Sequence, residues 1–137
     1  TSIILNHFGG PLGIGSFVNK EEETYSFWEK QITELSKCEN VTAKLGGIAM
    51  EINGFNWHKS KIAPSGQDLI NRTKRYYEKT IEVFGVDRCM FESNFPVDKI
   101  SCSYVNLWNG FKLLTRDYSA NERAKLFHDN ANRIYKL

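Results

Sequence analysis

Cysteine is scarce in this sequence: only Cys38, Cys89 and Cys102 occur, an odd number with no CxxC pair. That argues against a disulfide framework and against a cysteine zinc site. No apolar run is long enough to span a bilayer and no signal-peptide pattern is visible, so no membrane partner is expected and a reducing cytoplasm is the simplest home. A surplus of either charge is also missing. With 18 Lys and Arg against 16 Asp and Glu, the net charge of +2 gives no reason to expect nucleic acid as a partner. The basic clusters Lys59-Ser60-Lys61 and Arg72-Thr73-Lys74-Arg75 read as solvated faces. Gly13 and Gly15 lack GxGxxG spacing and no Walker lysine follows them, so a phosphate cradle has little support. No internal repeat or low-complexity linker divides the chain. An initiator Met is absent as well: Thr1 already sits in an apparent strand, and upstream sequence is expected.

What is present has the composition of an ordinary globular domain, 41% hydrophobic and 25% charged, so disorder is not the default for any long part. Residues 88–99, RCMFESNFPVDK, organise the rest. The apolar run Cys89-Met90-Phe91 enters the polar stop Glu92-Ser93-Asn94, and Phe95-Pro96 then ends any strand ladder. Polar side chains at the carboxyl end of a buried strand are where α/β proteins mount their chemistry. A plain buried strand followed by a turn is the alternative.

In chain order, residues 2–7 (SIILNH) read as a buried strand, followed by a glycine-rich loop. Asn19 is placed to cap a helix whose first turn is Glu21-Glu22-Glu23, with Tyr25, Trp28, Ile32 and Leu35 as its apolar stripe. Residues 41–46 (VTAKLG) alternate as a second strand. The long stretch 47–66 has no period and holds Trp57 and His58; loops of that length are often functional. Ser65-Gly66-Gln67-Asp68 opens a helix with a capping-box pattern, Gly85 stops it, and residues 88–93 form the third strand. Tyr104 to Leu114 is helical, and Ser119-Ala120-Asn121-Glu122 opens a last helix. Strands alternating with helices predict an α/β fold with a parallel sheet and outer helices. Three strands cannot close a barrel, and strands this apolar need both faces covered, so the chain reads as part of a larger α/β domain. Alone it should be marginal, with unpaired edges that favour association and a homo-oligomer as one outcome.

Four ordered motifs resemble one family: Asn6-His7-Phe8-Gly9-Gly10-Pro11, Ala43-Lys44-Leu45-Gly46-Gly47, RCMFESNFPVDK, and Leu126-Phe127-His128-Asp129-Asn130-Ala131 through Tyr135. They occur in the order and rough spacing of the amidohydrolase-related TIM-barrel hydrolases, the group that includes pyrone-dicarboxylate and sugar-lactone lactonases. A complete (β/α)8 barrel takes about 250 residues. The resemblance therefore implies that residues 1–137 are the C-terminal half of a barrel whose upstream half, carrying the family's His-x-His pair, is absent here.

The resemblance also implies roles. His7 falls on the family's late-strand histidine, which binds the ion in metal-dependent relatives and helps polarise the carbonyl in lactonases; a strand-end His satisfied by a neighbour is the bland reading. Asn94 stands where many relatives have an Asp that binds metal or activates water. A neutral amide is neither a carboxylate base nor a good ligand for a hard cation, so substrate or water binding is left to it, with turn-capping as the alternative. His58 lies in a Gly-Phe-x-Trp-His loop similar to those of one branch of the family, and a histidine ring can move a proton near neutral pH. His128 reads as structural. Strand alternation turns Lys44 and Glu92 inward on neighbouring strands, where each buried charge would exist because of the other. The expected catalytic set is His7, His58 and Glu92, and the expected substrate-binding set is Asn94, Lys44 and Trp57. The implied function is hydrolysis of a lactone, ester or amide-like carbonyl on a small molecule, without a tightly bound metal. The alternatives are a decarboxylase of the same superfamily using a divalent ion (zinc or manganese, with His7 as ligand), and a non-catalytic fragment or binding module.

Overall fold

A computed structural model describes residues Thr1–Leu137. Three parallel strands, β1 (Ile3–Leu5), β2 (Val41–Leu45) and β3 (Cys89–Phe91), lie side by side in chain order. Helix α1 (Glu21–Ser36) connects β1 to β2, α2 (Gly66–Phe84) connects β2 to β3, and α3 (Tyr104–Leu114) follows β3. The chain ends with α4 (Ala120–Ala124), a π-helical turn at Lys125–Asp129, and α5 (Asn130–Tyr135). Successive strand–helix–strand units stepping one way across a parallel sheet are the repeating wall of a (β/α)8 barrel, of which this chain is a part.

Register decides which side chains face the helices. Ala43 lies opposite both Leu5 and Cys89, Lys44 opposite Met90, and Leu45 opposite Phe91. Because alternate residues take opposite faces, Val41, Ala43, Leu45, Cys89 and Phe91 join the contiguous core beneath the helices. Phe91 stacks on Phe111 of α3 with ring centroids 4.4 Å apart. Helix α2 presents Leu69, Ile70, Thr73, Tyr76, Tyr77, Thr80, Ile81 and Phe84 on its buried side, the three-and-four spacing of an amphipathic helix. Each large apolar side chain fully buried there contributes about 1.5–3 kcal/mol over exposure. Thr73 and Thr80 hydrogen-bond the carbonyls of Leu69 and Tyr76, so their hydroxyls are satisfied in the core.

Both expected capping boxes form: the Ser65 hydroxyl accepts from the Asp68 N–H and the Ser119 hydroxyl from the Glu122 N–H, with each acid reaching back to its cap. Three expectations are corrected. Asn19 does not cap α1; it takes a left-handed turn (φ 61), so Lys20 occupies the cap position and makes no side-chain cap. The first strand is shorter than 2–7, because His7 and Phe8 both turn left-handed, at φ 53 and φ 56, and leave the ladder. The third strand is Cys89–Phe91 rather than 88–93: Arg88 ends a 3-10 turn before it, and Asn94 (φ 54) breaks the extended path after it.

Side chains with several partners lock the strand ends. The Arg88 guanidinium donates to the carbonyls of Phe84, Cys38, Val41 and Ser36, tying the end of α1 to the entrance of β2. Asn130 donates to the Val86 and Cys89 carbonyls, at 2.7 and 2.8 Å, and so pins α5 under β3. The Trp28 indole N–H reaches the Phe8 carbonyl at 2.7 Å, which anchors the turn carrying His7 to α1.

Candidate active site

Three of the candidate polar residues follow the carboxyl end of a strand, His7 after β1 and Glu92 and Asn94 after β3, and Lys44 is the next-to-last residue of β2, just ahead of Gly46 and Gly47. Parallel pairing therefore collects them at one end of the sheet, as expected. Lys44 and Glu92 meet there, with the Lys44 Nζ 2.6 Å from Glu92 Oε2. Both side chains are mostly buried. Burial works against the Lys44 ammonium, but Glu92, with Tyr135 adding to it, outweighs that cost and the pKa lies above the ordinary lysine value.

The other Glu92 oxygen belongs to His7, whose Nδ1 lies 2.7 Å from Oε1. The ring does not aim its N–H at that oxygen, and neither atom has a hydrogen-bond partner elsewhere, so the two atoms are in close contact without an aligned hydrogen bond. Glu92 thus stands between a cation and an imidazole. Two glycines make the room. A Cβ on Gly46 would collide with the Glu92 carbonyl and Cγ, and a Cβ on Gly47 (φ +77) would strike the His7 ring. The Lys-Leu-Gly-Gly stretch therefore supplies the lysine of the ion pair and the two gaps that its partners fill.

Asn94 lies next to this cluster and brings in a residue that the sequence reading missed. Its Nδ2 donates to Asp98 Oδ1 at 2.8 Å, while the Asp98 amide donates to the Asn94 carbonyl at 3.1 Å, closing one helical turn. Asp98 is 1% exposed and its second oxygen has no partner. Desolvation pushes its pKa up to about 6, against the pull of the Asn94 hydrogen bond, the charge of His7 and the Ala49 backbone N–H, with Glu92 adding to the rise. The available signal was the i,i+4 spacing of Asn94 and Asp98 across Pro96, which lets one turn join them.

His58 and Trp57 make other contacts. His58 faces Glu51, its Nε2 3.5 Å from Oε1, and both ring nitrogens are buried without a hydrogen bond. No hydrogen bond or ion pair links it to His7, Glu92 or Asp98. Trp57 stacks on Phe55, with centroids 5.0 Å apart and planes 15° apart. It helps line an open groove of about 590 Å³ with Phe95, Lys99 and Tyr104. The structure brings together His7, Lys44 and Glu92, adds the Asn94–Asp98 pair beside them, and leaves His58 outside these polar contacts. His128 is exposed against Asp129.

No three His, Cys, Asp or Glu side chains of the chain converge as a metal centre would require. The donor set explains why: the carboxylate nearest His7 already carries the Lys44 ammonium, and a second cation beside it would meet like charge. The residues of this chain do not compose a metal site by themselves.

The chain is thus part of a (β/α)8 barrel with titratable side chains gathered at the carboxyl ends of its strands. The family model described as Amidohydrolase matches residues 1–137, and the chain belongs to that family. It is 39% identical over 135 residues to the uncharacterized protein y4mH of Sinorhizobium fredii, covering 98% of this chain and 39% of that protein. It is 26% identical over 141 residues to the L-fucono-1,5-lactonase of Burkholderia multivorans, covering 98% of this chain and 43% of the lactonase. A crystal structure of a Burkholderia multivorans amidohydrolase superposes with a TM-score of 0.82 at 24% identity, covering 99% of this chain and 45% of that one. That crystal contains HEPES, and a second crystal form of the amidohydrolase contains zinc. The chain spans roughly two fifths of the length of the curated relatives it matches.

Proposed function

We propose that this chain, joined to the rest of its barrel, belongs to a hydrolase that adds water to the carbonyl of a small lactone or related ester or amide. The observation that carries this reading is the His7–Glu92–Lys44 cluster at the carboxyl end of the sheet, in a chain similar to a lactonase. His7 faces the carbonyl. As water attacks, a hydroxyl adds to the carbonyl carbon and the water proton passes to the imidazole; the ring C–O bond then breaks, and the proton leaves with the new hydroxyl of the hydroxy acid. Glu92 stabilises the imidazolium formed on the way, and Lys44 keeps Glu92 ionised. This gives Glu92 an orienting part, as in other carboxylate–histidine pairs, and assigns no proton transfer to His58. Asn94 binds water or substrate, and Trp57 offers a flat apolar face in the groove beyond it.

The remaining strands of the barrel pair along the free edges of β1, where Ile3 is half exposed, and of β3, and cover the apolar groove of about 440 Å³ between Pro11, Leu12, Phe17, Phe27 and Trp28. Lys44 and the neutral Asn94 support catalysis without a tightly bound metal. The test uses the full-length protein against L-fucono-1,5-lactone, simple aldono-1,5-lactones and 2-pyrone-4,6-dicarboxylate, read as acid release, with elemental analysis alongside. Hydrolysis of at least one of these, unaffected by chelator, supports the reading. No turnover on any of them overturns the hydrolase assignment; near-stoichiometric zinc or manganese, with activity lost to chelator and restored by the ion, overturns the metal-free one.

A further inference from the structure

Asp98 is the buried titratable group that the mechanism above leaves unused. Its Oδ1 accepts from the Asn94 Nδ2–H at 2.8 Å, its Oδ2 is buried with no partner, and the residue is 1% exposed. An amide side chain has two chemically opposite ends, and in water it flips freely between them. A carboxylate beside it can only accept, so it selects the orientation that presents the NH2 group to itself. The Asn94 oxygen is then left as the free end, and no protein group hydrogen-bonds it.

We propose that Asp98 is a positioning residue: by holding the Asn94 amide nitrogen it fixes Asn94 Oδ1 as a one-way hydrogen-bond acceptor for the attacking water. The inference rests on the hydrolase reading and says how a neutral residue at this position orients water. An aspartate one helical turn on supplies the negative charge from behind, much as a buried carboxylate fixes a catalytic imidazole. Polarised by that charge, the amide oxygen is a stronger acceptor than a free amide. His7 from the β1 turn, Glu92 at the end of β3, Tyr77 from α2 and Cys102 ahead of α3 are the titratable groups whose charges couple to Asp98.

Ionised Asp98 accepts only; protonated, it can donate and no longer enforces the flip. Activity should therefore fall as pH drops through the Asp98 value of about 6. His7 remains in every variant, so a limb caused by His7 would survive replacement of Asp98.

The test uses the full-length protein and the lactones named above. D98N should lower kcat by about 10- to 100-fold with KM changed by less than about threefold, and should lose the acid limb. The exchange variant N94D/D98N keeps one carboxylate and one amide in contact and should recover to within about tenfold of the parent. A folded D98N with parental kcat and an intact acid limb would overturn the proposal, as would an exchange variant no better than D98N. If D98N does not fold, the exchange variant and the parent are read alone. In parent protein labelled with 15N-asparagine, one Asn94 side-chain amide proton should lie downfield and move with pH through about 6; an amide insensitive to pH would overturn the proposal without any substrate. An inactive parent with a responsive amide would overturn the hydrolase reading and leave the Asn94 orientation standing.

Discussion

The loops after β2 and β3 sit at the same end of the sheet and do different things. The segment after β3 is short: Glu92 continues the strand direction, Asn94 turns, and one helical turn returns Asp98 beneath it. Glu92 is held by His7 and Lys44 on neighbouring elements, and Asp98 by Asn94 within the same turn. The segment after β2 begins in the same way, with Gly46 and Gly47 receiving Glu92 and His7, but then runs on through two short 3-10 turns. Its distal part is held by aromatic stacking, Phe55 on Trp57, and its histidine has no hydrogen bond. Side chains within a residue or two of a parallel strand end are aimed by the sheet, and those further along a loop are aimed by local packing. Chemistry that needs charges fixed relative to one another therefore sits in the first group, and substrate selection suits the second.

Substitution at Gly47 should have the largest effect, because it acts where the loop after β2 meets the turn that carries His7. Gly47→Ala places a Cβ against the His7 ring at φ +77, so His7 must move. A loss of kcat of about 100-fold or more is expected, with destabilisation of about 1–3 kcal/mol, measured by steady-state kinetics and urea unfolding of the full-length protein.

Next in size is the ion pair. Glu92→Gln leaves the Lys44 ammonium mostly buried without its counter-ion and should cost about 3 kcal/mol. Lys44→Met in the same protein should return part of that. A double-mutant cycle by urea unfolding should give a coupling of about 1–3 kcal/mol. Additive effects would show that the charges do not depend on each other.

The distal loop should respond least, and in the other kinetic constant. Trp57→Ala should raise KM about 3- to 10-fold with kcat little changed, and His58→Ala should alter kcat by less than about threefold. A large kcat loss in H58A would move the proton-handling role back to His58 and erase the distinction between the two loops.

The same contrast explains what could be read from the amino acids alone. The Lys44–Glu92 contact was legible because strand period two assigns a face to every residue, and neighbouring strands then bring the two charges together. Both capping boxes were legible because a cap and its acid lie three residues apart in one local motif. The departure of His7 from its strand was not, because an apolar run shows that a strand exists but not where φ changes sign. Asn19 looked like a cap for a related reason: its residue type was right, yet its own left-handed backbone moved the cap position to Lys20. Asp98 was overlooked because it follows the polar stop in an aperiodic stretch, where only the i,i+4 spacing to Asn94 hints at a contact. His58 entered the candidate set by motif likeness, and no periodicity fixes where a residue so far along a loop will point; it lies beside Glu51 without a hydrogen bond.

The central claim is that His7, held against Glu92 and Lys44, is the group that acts on the carbonyl. Its most direct measurement is kcat/KM of His7→Asn in the full-length protein on whichever lactone the parent hydrolyses, with folding checked by circular dichroism. A fall of about a thousandfold or more, with KM nearly unchanged, is the predicted result. A folded H7N enzyme within about tenfold of the parent would show that the chemistry is done elsewhere.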